Sequence, residues 1–249
     1  MITPQDKELL RQKGISEEQI AEQLTCFEKG FPYLKLAAAA SLEKGILAPA
    51  AEEQKLYLDA WDAYTRTDKV VVKFVPASGA ASRIFKNLFE FLGADYDVPE
   101  TKFEKTFFEQ IEKFAFYDDL NAACEKAFEK NIPALMAEGD YKAVVAALLE
   151  AAGLNYGALP KGLLKFHRYE DGSRTPLEEH LVEGPLYAAN KNGKVNVHFT
   201  LAPEHRRLFE ALVADKAAVY AKKYGVDYNV TFSEQKPSTD TIAADMANQ

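Results

Sequence analysis

The chain has few of the features that mark several common classes of protein. Its only two cysteines, Cys26 and Cys124, lie in separate predicted helices and are interpreted as the buried thiols of a reduced setting. Its 30 basic residues are outnumbered by 38 acidic ones, and the net charge of −8 argues against a broad nucleic-acid surface. No run approaches the roughly 18 apolar residues of a membrane span, and the first residues are too polar for a signal peptide. We therefore expect a cytoplasmic protein with no nucleic-acid or membrane partner, whose oligomeric state stays open.

Several catalytic and cofactor signatures are also missing. The chain contains no G-x-G-x-x-G fingerprint, no P-loop and no G-x-S-x-G nucleophile elbow. Its four histidines form no H-E-x-x-H pair, and a packing or surface role is expected for each: His167, His180, His198 and His205. Asp240 and Asp245 are isolated loop carboxylates, so the sequence leaves any metal ligands unknown.

The apolar pattern predicts an α/β chain in two parts. Residues 1–66 are predicted to form a helical N-terminal cap, with Leu56 and Leu58 among the inward-facing side chains of its last helix. Residues 67–249 are predicted to form an α/β domain, in which strands alternate with helices. This alternation implies a Rossmann-like, mostly parallel sheet. A helical insertion at 95–152 interrupts the alternation and is interpreted as a structural insertion or a lid.

The most informative stretch is residues 70–86. Val70–Val75 has the β-branched and aromatic composition of a strand buried on both faces of a sheet. The small residues that follow leave the backbone accessible, and Ser82 is expected to cap a helix that begins with Arg83. The first-turn N–H groups of such a helix attract an anion, and Arg83 and Lys86 add positive charge. The stretch predicts a phosphate-binding loop after a central strand; the alternative is an ordinary turn that binds nothing.

A second cation is expected at the same edge of the sheet. Ligands of parallel sheets bind outside the carboxyl ends of the strands, where the loops Pro76–Arg83, Thr200–His205 and Ser233–Thr241 should meet. The loop Gly157–Lys165 brings Lys161 towards this edge. Phosphoryl or nucleotidyl transfer needs such fixed cations and N–H groups, because negative charge develops on several phosphate oxygens. A solvated surface role for Lys161 is the alternative.

Four segments, taken in order, carry a family resemblance. They are Ala77-Ser78-Gly79-Ala80-Ala81-Ser82-Arg83, Leu159-Pro160-Lys161-Gly162-Leu163, Thr175-Pro176-Leu177-Glu178-Glu179-His180 and Val230-Thr231-Phe232-Ser233-Glu234-Gln235-Lys236-Pro237. Their order resembles the nucleotidyltransferase signature of sugar-nucleotide pyrophosphorylases: a glycine-rich loop, a Pro-Lys-Gly segment and a substrate-placing helix. The last segment is similar to the Gln–Pro run of the UDP-sugar branch. The whole chain also resembles the N-terminal half of an uncharacterised bacterial domain-of-unknown-function family that looks like a distant relative of this branch.

The resemblance implies a GT-A-like fold of the nucleotide-diphospho-sugar transferase type. It implies a nucleoside triphosphate, expected to be UTP, a sugar phosphate as second substrate, and Mg²⁺ as cofactor. Arg83 and Lys161 would be the catalytic residues that hold the phosphates. The implied nucleotide-binding residues are Ser78, Gly79, Ala80, Ala81, Ser82, Lys86, Gly162 and Gln235. Two other functions stay open: a non-catalytic nucleotide- or sugar-nucleotide-binding module, and a structural or interaction protein on a degenerate fold.

Overall fold

The computed structural model describes residues 2–243, which form a mixed α/β protein. The helices in this range are α1 (Pro4–Lys13), α2 (Glu17–Lys29), α3 (Ala51–Thr65), α4 (Lys86–Leu92), α5 (Lys102–Glu109), α6 (Tyr117–Phe128), α7 (Ile132–Ala137), α8 (Tyr141–Leu149), α9 (Pro176–Tyr187) and α10 (Arg206–Tyr224). The strands are β1 (Val72–Pro76), β2 (His167–Tyr169), β3 (Gly172–Arg174), β4 (Lys194–Leu201) and β5 (Asp227–Glu234). No helix of the described range is long and apolar enough to cross a membrane.

The described residues divide into two compact units, and the smaller one combines residues 2–61 with 235–243. In this unit α1 and α2 each begin with a capping box, in which the N-cap and N3 side chains bond each other's backbone N–H groups. Leu56 and Leu58 of α3 are exposed, so the inward orientation expected for them is wrong. The predicted domain boundary at residue 66 stays a prediction.

The larger unit, residues 62–234, contains a three-stranded parallel sheet in the order β1-β4-β5. The four alternate residues of β4 from Val195 to Leu201 are fully buried in one apolar cluster with residues of α9 and α10. Both helices therefore pack on the same face of the sheet. The predicted parallel sheet is confirmed; its assignment to a Rossmann-like type stays a proposal.

The opposite face of the sheet carries polar side chains of β4 and β5 and exposed apolar side chains of β1. Val72 and Phe74 of β1 are 51% and 63% exposed, so the expected burial of this strand on both faces is wrong. The strand also lies at an edge, with β4 in the centre. On this face the His198 ring bonds the hydroxyls of Thr231 and Ser233, at 2.8 Å each. A β-branched run shows that a strand is favoured, but the packing of α9 and α10 decides which face is buried.

The insertion is helical, as predicted, and α4 to α8 form a second apolar cluster with buried Phe91, Leu120 and Leu148. The structure divides it more finely than the sequence indicates. Helix α5 ends at Glu109 and is followed by a 3₁₀ turn at Ile111–Lys113, and α7 is a short helix of six residues. The cluster also takes in Ala81, from the loop after β1.

Candidate functional site

The loop after β1 and the Pro160–Gly162 segment lie side by side. The backbone N–H of Lys161 donates to the carbonyl oxygen of Gly79 at 3.0 Å, and Ala80 forms an antiparallel bridge with Pro160. A Cβ at position 79 would lie 3.9 Å from the Cδ of Lys161, so the lysine stem runs close to bare backbone. Two segments that the sequence places far apart therefore form one backbone-paired unit.

This unit borders a pocket of about 190 Å³ at the carboxyl ends of β1 and β4. The lining residues are Val75, Pro76, Ala77, Gly79, Lys161, Gly162, Pro176, Leu177, His180, Phe199 and Phe209. Three of the predicted site residues, Gly79, Lys161 and Gly162, are thus brought together. The Lys161 ammonium is exposed and forms no ion pair within residues 2–243. It is therefore available to an anion entering the pocket.

The start of α4 differs from the prediction. Ser82 does not cap a helix, because residues 81–85 form turns and α4 begins at Lys86 with Phe85 as an N-cap that makes no side-chain bond. Ala81 and Phe85 are buried in the helical cluster, and this burial sets the path of the chain after Ala80. The expected helix start at Arg83 is therefore wrong, and anion binding by this loop stays a prediction.

The remaining predicted residues do not line this pocket. Arg83 is exposed and has no ion pair in the described part of the chain, whereas Lys86 lies 3.7 Å from Glu90 one helical turn away. Gln235 directly follows β5, is exposed, and belongs to the smaller compact unit. Ser78 is half-buried in the loop beside Gly79. The pocket therefore accounts for only part of the predicted set, whose functional roles stay predictions.

His180 is a pocket residue that the sequence analysis assigned to packing or the surface. Its place is fixed from the N-terminus of α9, where Thr175 and Glu178 form a buried capping box and Pro176 opens the first turn. The ring also packs edge-on against Phe199, with 6.1 Å between the ring centres. Local capping and core packing together hold the imidazole at the pocket wall.

A charged cluster lies behind this histidine. Lys73, whose side chain is only 10% exposed, contacts the Glu183 carboxylate at 2.5 Å and also contacts the Tyr187 hydroxyl. The hydroxyl of Tyr187 donates to the same carboxylate at 3.1 Å. The Nδ1 atom of His180 lies 3.5 Å from Glu183 Oε2. The cluster therefore connects the edge strand to the pocket through one carboxylate.

The pKa shifts of these groups follow from burial and pairing. Burial lowers the pKa of Lys73, but the hydrogen bonds to Glu183 and Tyr187 outweigh it, so this pKa is raised overall. The bond from Lys73 holds the pKa of Glu183 below its ordinary value. Burial, followed by the charge of Lys73, lowers the pKa of His180. The sequence carried one signal for this cluster: Lys73 is the only charge in an otherwise apolar strand.

The lining of the pocket does not fit a divalent metal. It includes no carboxylate, and residues 2–243 hold no group of three His, Cys, Asp or Glu side chains arranged as metal ligands. Asp245 lies outside the described residues. Because Mg²⁺ prefers carboxylate and phosphate oxygens, we derive no step through a protein-held metal here.

A family model described as "Domain of unknown function (DUF4301)" matches residues 3–249. The chain belongs to this family. No curated protein and no solved structure matches it. The match agrees with the expected relationship to a domain of unknown function, while the resemblance to nucleotidyltransferases stays a prediction.

Proposed function

We propose that this pocket binds the phosphates of a nucleoside triphosphate, with UTP as the favoured one, and that the protein transfers the nucleotidyl group to a sugar-1-phosphate. One observation carries the proposal: the Lys161 ammonium, without a carboxylate partner in the described range, lies beside the bare backbone of Gly79 at the carboxyl edge of a parallel sheet. This edge is where α/β proteins bind their ligands. We further propose that the sheet is of the GT-A-like, Rossmann-related type and that the protein is cytoplasmic.

In the proposed reaction an oxygen of the sugar phosphate forms a bond to the α-phosphorus. The bond from this phosphorus to the bridging oxygen breaks, and its electron pair leaves with pyrophosphate. Lys161 stabilises the negative charge that accumulates on the phosphate oxygens, which is worth most in a pocket partly closed to water. Arg83, exposed and without an ion pair in residues 2–243, is the second proposed phosphate cation.

A second candidate is nucleotide binding without transfer. The lining of the pocket supports it, because Lys161 can hold phosphate oxygens while no lining carboxylate is available to hold a metal. Turnover separates the two candidates, since both predict binding and only the first predicts release of pyrophosphate in the presence of sugar-1-phosphates.

The first test is a thermal-shift panel with UTP, CTP, ATP, GTP and dTTP, each with and without Mg²⁺. A ligand at 100 times its Kd stabilises by about 2.7 kcal/mol, which for a domain of this size is a shift of roughly 5–10 °C. We expect a uridine-selective shift. Turnover is then measured with sugar-1-phosphates as pyrophosphate release.

Lysine variants locate the site. Lys161→Ala should weaken nucleotide binding by about tenfold or more, because hydrogen bonds to charged groups contribute roughly 1.5–3 kcal/mol. Arg83→Ala and Lys86→Ala test the other two proposed cations. The matched control is Lys222→Ala, since Lys222 is an exposed lysine of α10 outside the pocket lining. Absence of any shift with millimolar nucleotide, or an equal loss in Lys222→Ala, would overturn the proposal.

A further inference from the structure

A chain of polar contacts runs from the edge strand into the pocket. The Lys73 ammonium contacts Glu183 Oε2, and the same oxygen accepts a hydrogen bond from Tyr187 and faces His180 Nδ1 at 3.5 Å. The imidazole of His180 in turn lines the pocket together with Lys161. Through this arrangement a largely buried lysine of the edge strand holds the carboxylate that faces the histidine.

The two nitrogens of this imidazole lie in different environments. Nδ1 is inaccessible to solvent and has no hydrogen-bond partner in residues 2–243 other than the long contact to Glu183. The side chain is nevertheless 32% exposed, so its accessible part is the remainder of the ring. Because an ionised carboxylate accepts hydrogen bonds and cannot donate them, this contact favours the tautomer with the proton on Nδ1. Nε2 is then the nitrogen with a free lone pair.

Burial and nearby charges both act on the protonation of this ring. Glu183 raises the pKa of His180 and Lys73 lowers it, Glu179 on the same helix lies 3.4 Å from Arg174, and Lys161 also lines the pocket. Burial is the largest influence and lowers the pKa of His180. A neutral imidazole with a carboxylate at one nitrogen is the arrangement that general bases use.

We propose that Nε2 of His180 accepts the proton of the attacking group in this pocket, and that Glu183, held by Lys73 and Tyr187, is the positioning residue that fixes the Nδ1–H tautomer. This inference rests on the proposed function and names its attacking group: the monoprotonated phosphate of a sugar-1-phosphate. Phosphate monoesters lose their second proton near pH 6. The proton moves from the phosphate oxygen to Nε2, the deprotonated oxygen bonds to the α-phosphorus, and the imidazolium returns the proton to the departing pyrophosphate or to water.

The test begins with the ¹⁵N and ¹H NMR signals of the imidazoles in the full chain, without any ligand. The chain has only 4 histidines, so single substitutions assign every signal. His198, whose nitrogens both contact hydroxyl groups, is an internal reference. We expect His180 to show the Nδ1–H tautomer at pH 7 and to titrate below the ordinary histidine range.

Two substitutions should move this titration in opposite directions. Glu183→Gln removes the neighbouring negative charge and should lower the pKa of His180 further while mixing its tautomers. Lys73→Met removes the positive charge and should raise that pKa. If Lys73→Met fails to fold, the Glu183→Gln result and the wild-type tautomer still decide. Glu109→Gln, on an exposed residue of α5, is the matched control and should leave the His180 signal unchanged.

Turnover supplies the second readout. His180→Gln should leave the UTP-induced thermal shift in place and should reduce turnover more strongly near pH 6 than at pH 8, because the sugar phosphate still carries its second proton only at the lower pH. Turnover by Glu183→Gln should show a displaced pH profile. Mixed tautomers in the wild type, or wild-type turnover by His180→Gln, overturn the proposal. If no nucleotide binds while the wild type shows the Nδ1–H tautomer, the proposed function is overturned and the tautomer assignment is supported, so the two failures stay distinct.

Discussion

Gly162 is the residue at which packing beside Lys161 is most sharply constrained. A Cβ added at this position would lie 2.7 Å from Cζ and 3.1 Å from Cε1 of Phe209. The Phe209 ring is fully buried in the cluster between the sheet and its two helices. Protein cores are close-packed, so the ring has little room to move away. Gly162→Ala should therefore destabilise the protein by about 1–3 kcal/mol, the usual cost of overpacking.

Gly79→Ala is the matched control in the same pocket. The nearest atom to an added Cβ at position 79 is Lys161 Cδ at 3.9 Å, an ordinary van der Waals distance. Gly79 is also absent from the glycines with positive φ, so alanine can adopt its backbone conformation. Its substitution should change stability by less than about 1 kcal/mol and can increase it by restricting the unfolded chain. Because the new methyl group lies beside the Lys161 stem, Gly79→Ala is expected to weaken nucleotide binding although it leaves stability nearly unchanged.

The assay is thermal and urea unfolding followed by circular dichroism. For a chain of this length 1 kcal/mol corresponds to roughly 2–4 °C, so Gly162→Ala should lower Tm by about 2–12 °C. Phe209→Leu is destabilising by itself, but it should relieve the overlap between the methyl group added at position 162 and the Phe209 ring. A double-mutant cycle of Gly162→Ala and Phe209→Leu should therefore give a coupling energy of at least about 0.5 kcal/mol. Equal stability of Gly162→Ala and the wild type, or a larger loss in Gly79→Ala, would refute the packing argument.

Three further outcomes are expected. Thr175→Ala removes a buried N-cap whose hydroxyl accepts from the Glu178 N–H, so it should reduce the urea-derived stability by about 1–2 kcal/mol, and Thr175→Ser should restore most of it. A thiol reagent at pH 8 should modify half-buried Cys26 and should not modify Cys124 until the protein unfolds, because burial raises the pKa of Cys124 to about 11. Two rapidly modified thiols per folded chain would contradict this. Burial holds the folded-state pKa of His180 below its ordinary value of 6.5. As the pH falls below about 6.5 the unfolded chain binds this proton before the folded protein does, so the free energy of unfolding should decrease. In unfolding experiments at several pH values, His180→Gln should reduce this dependence of stability on pH.

Local features of the fold could be predicted because their causes lie within a few residues. The N-terminus of α9 follows from three neighbouring residues. The side chains of Thr175 and Glu178 accept hydrogen bonds from backbone N–H groups at the start of the helix, and Pro176 has no N–H that would need a partner. Gly225 ends α10 in the left-handed conformation, with φ 66°, as its place after the last apolar turn indicates.

The start of α4 and the open face of the sheet could not be predicted in this way. Ser82 is a residue type that often caps helices, but α4 begins only at Lys86, because Ala81 and Phe85 are buried in the helical cluster. Val72 and Phe74 have strand composition, yet they lie on the face that α9 and α10 leave open. Tertiary packing overrides local preference where the two disagree.

The sequence by itself determined the α/β pattern, the helical insertion, the caps of α9 and α10, and the glycine and lysine segments of the pocket. The tertiary structure decided which of these residues meet. It paired Gly79 with Lys161, turned His180 towards them, and placed Lys73 against Glu183 across two elements. Caps and periodicity are short-range effects of backbone hydrogen bonding, whereas a site assembled from separate strands and helices depends on how their buried faces fit together.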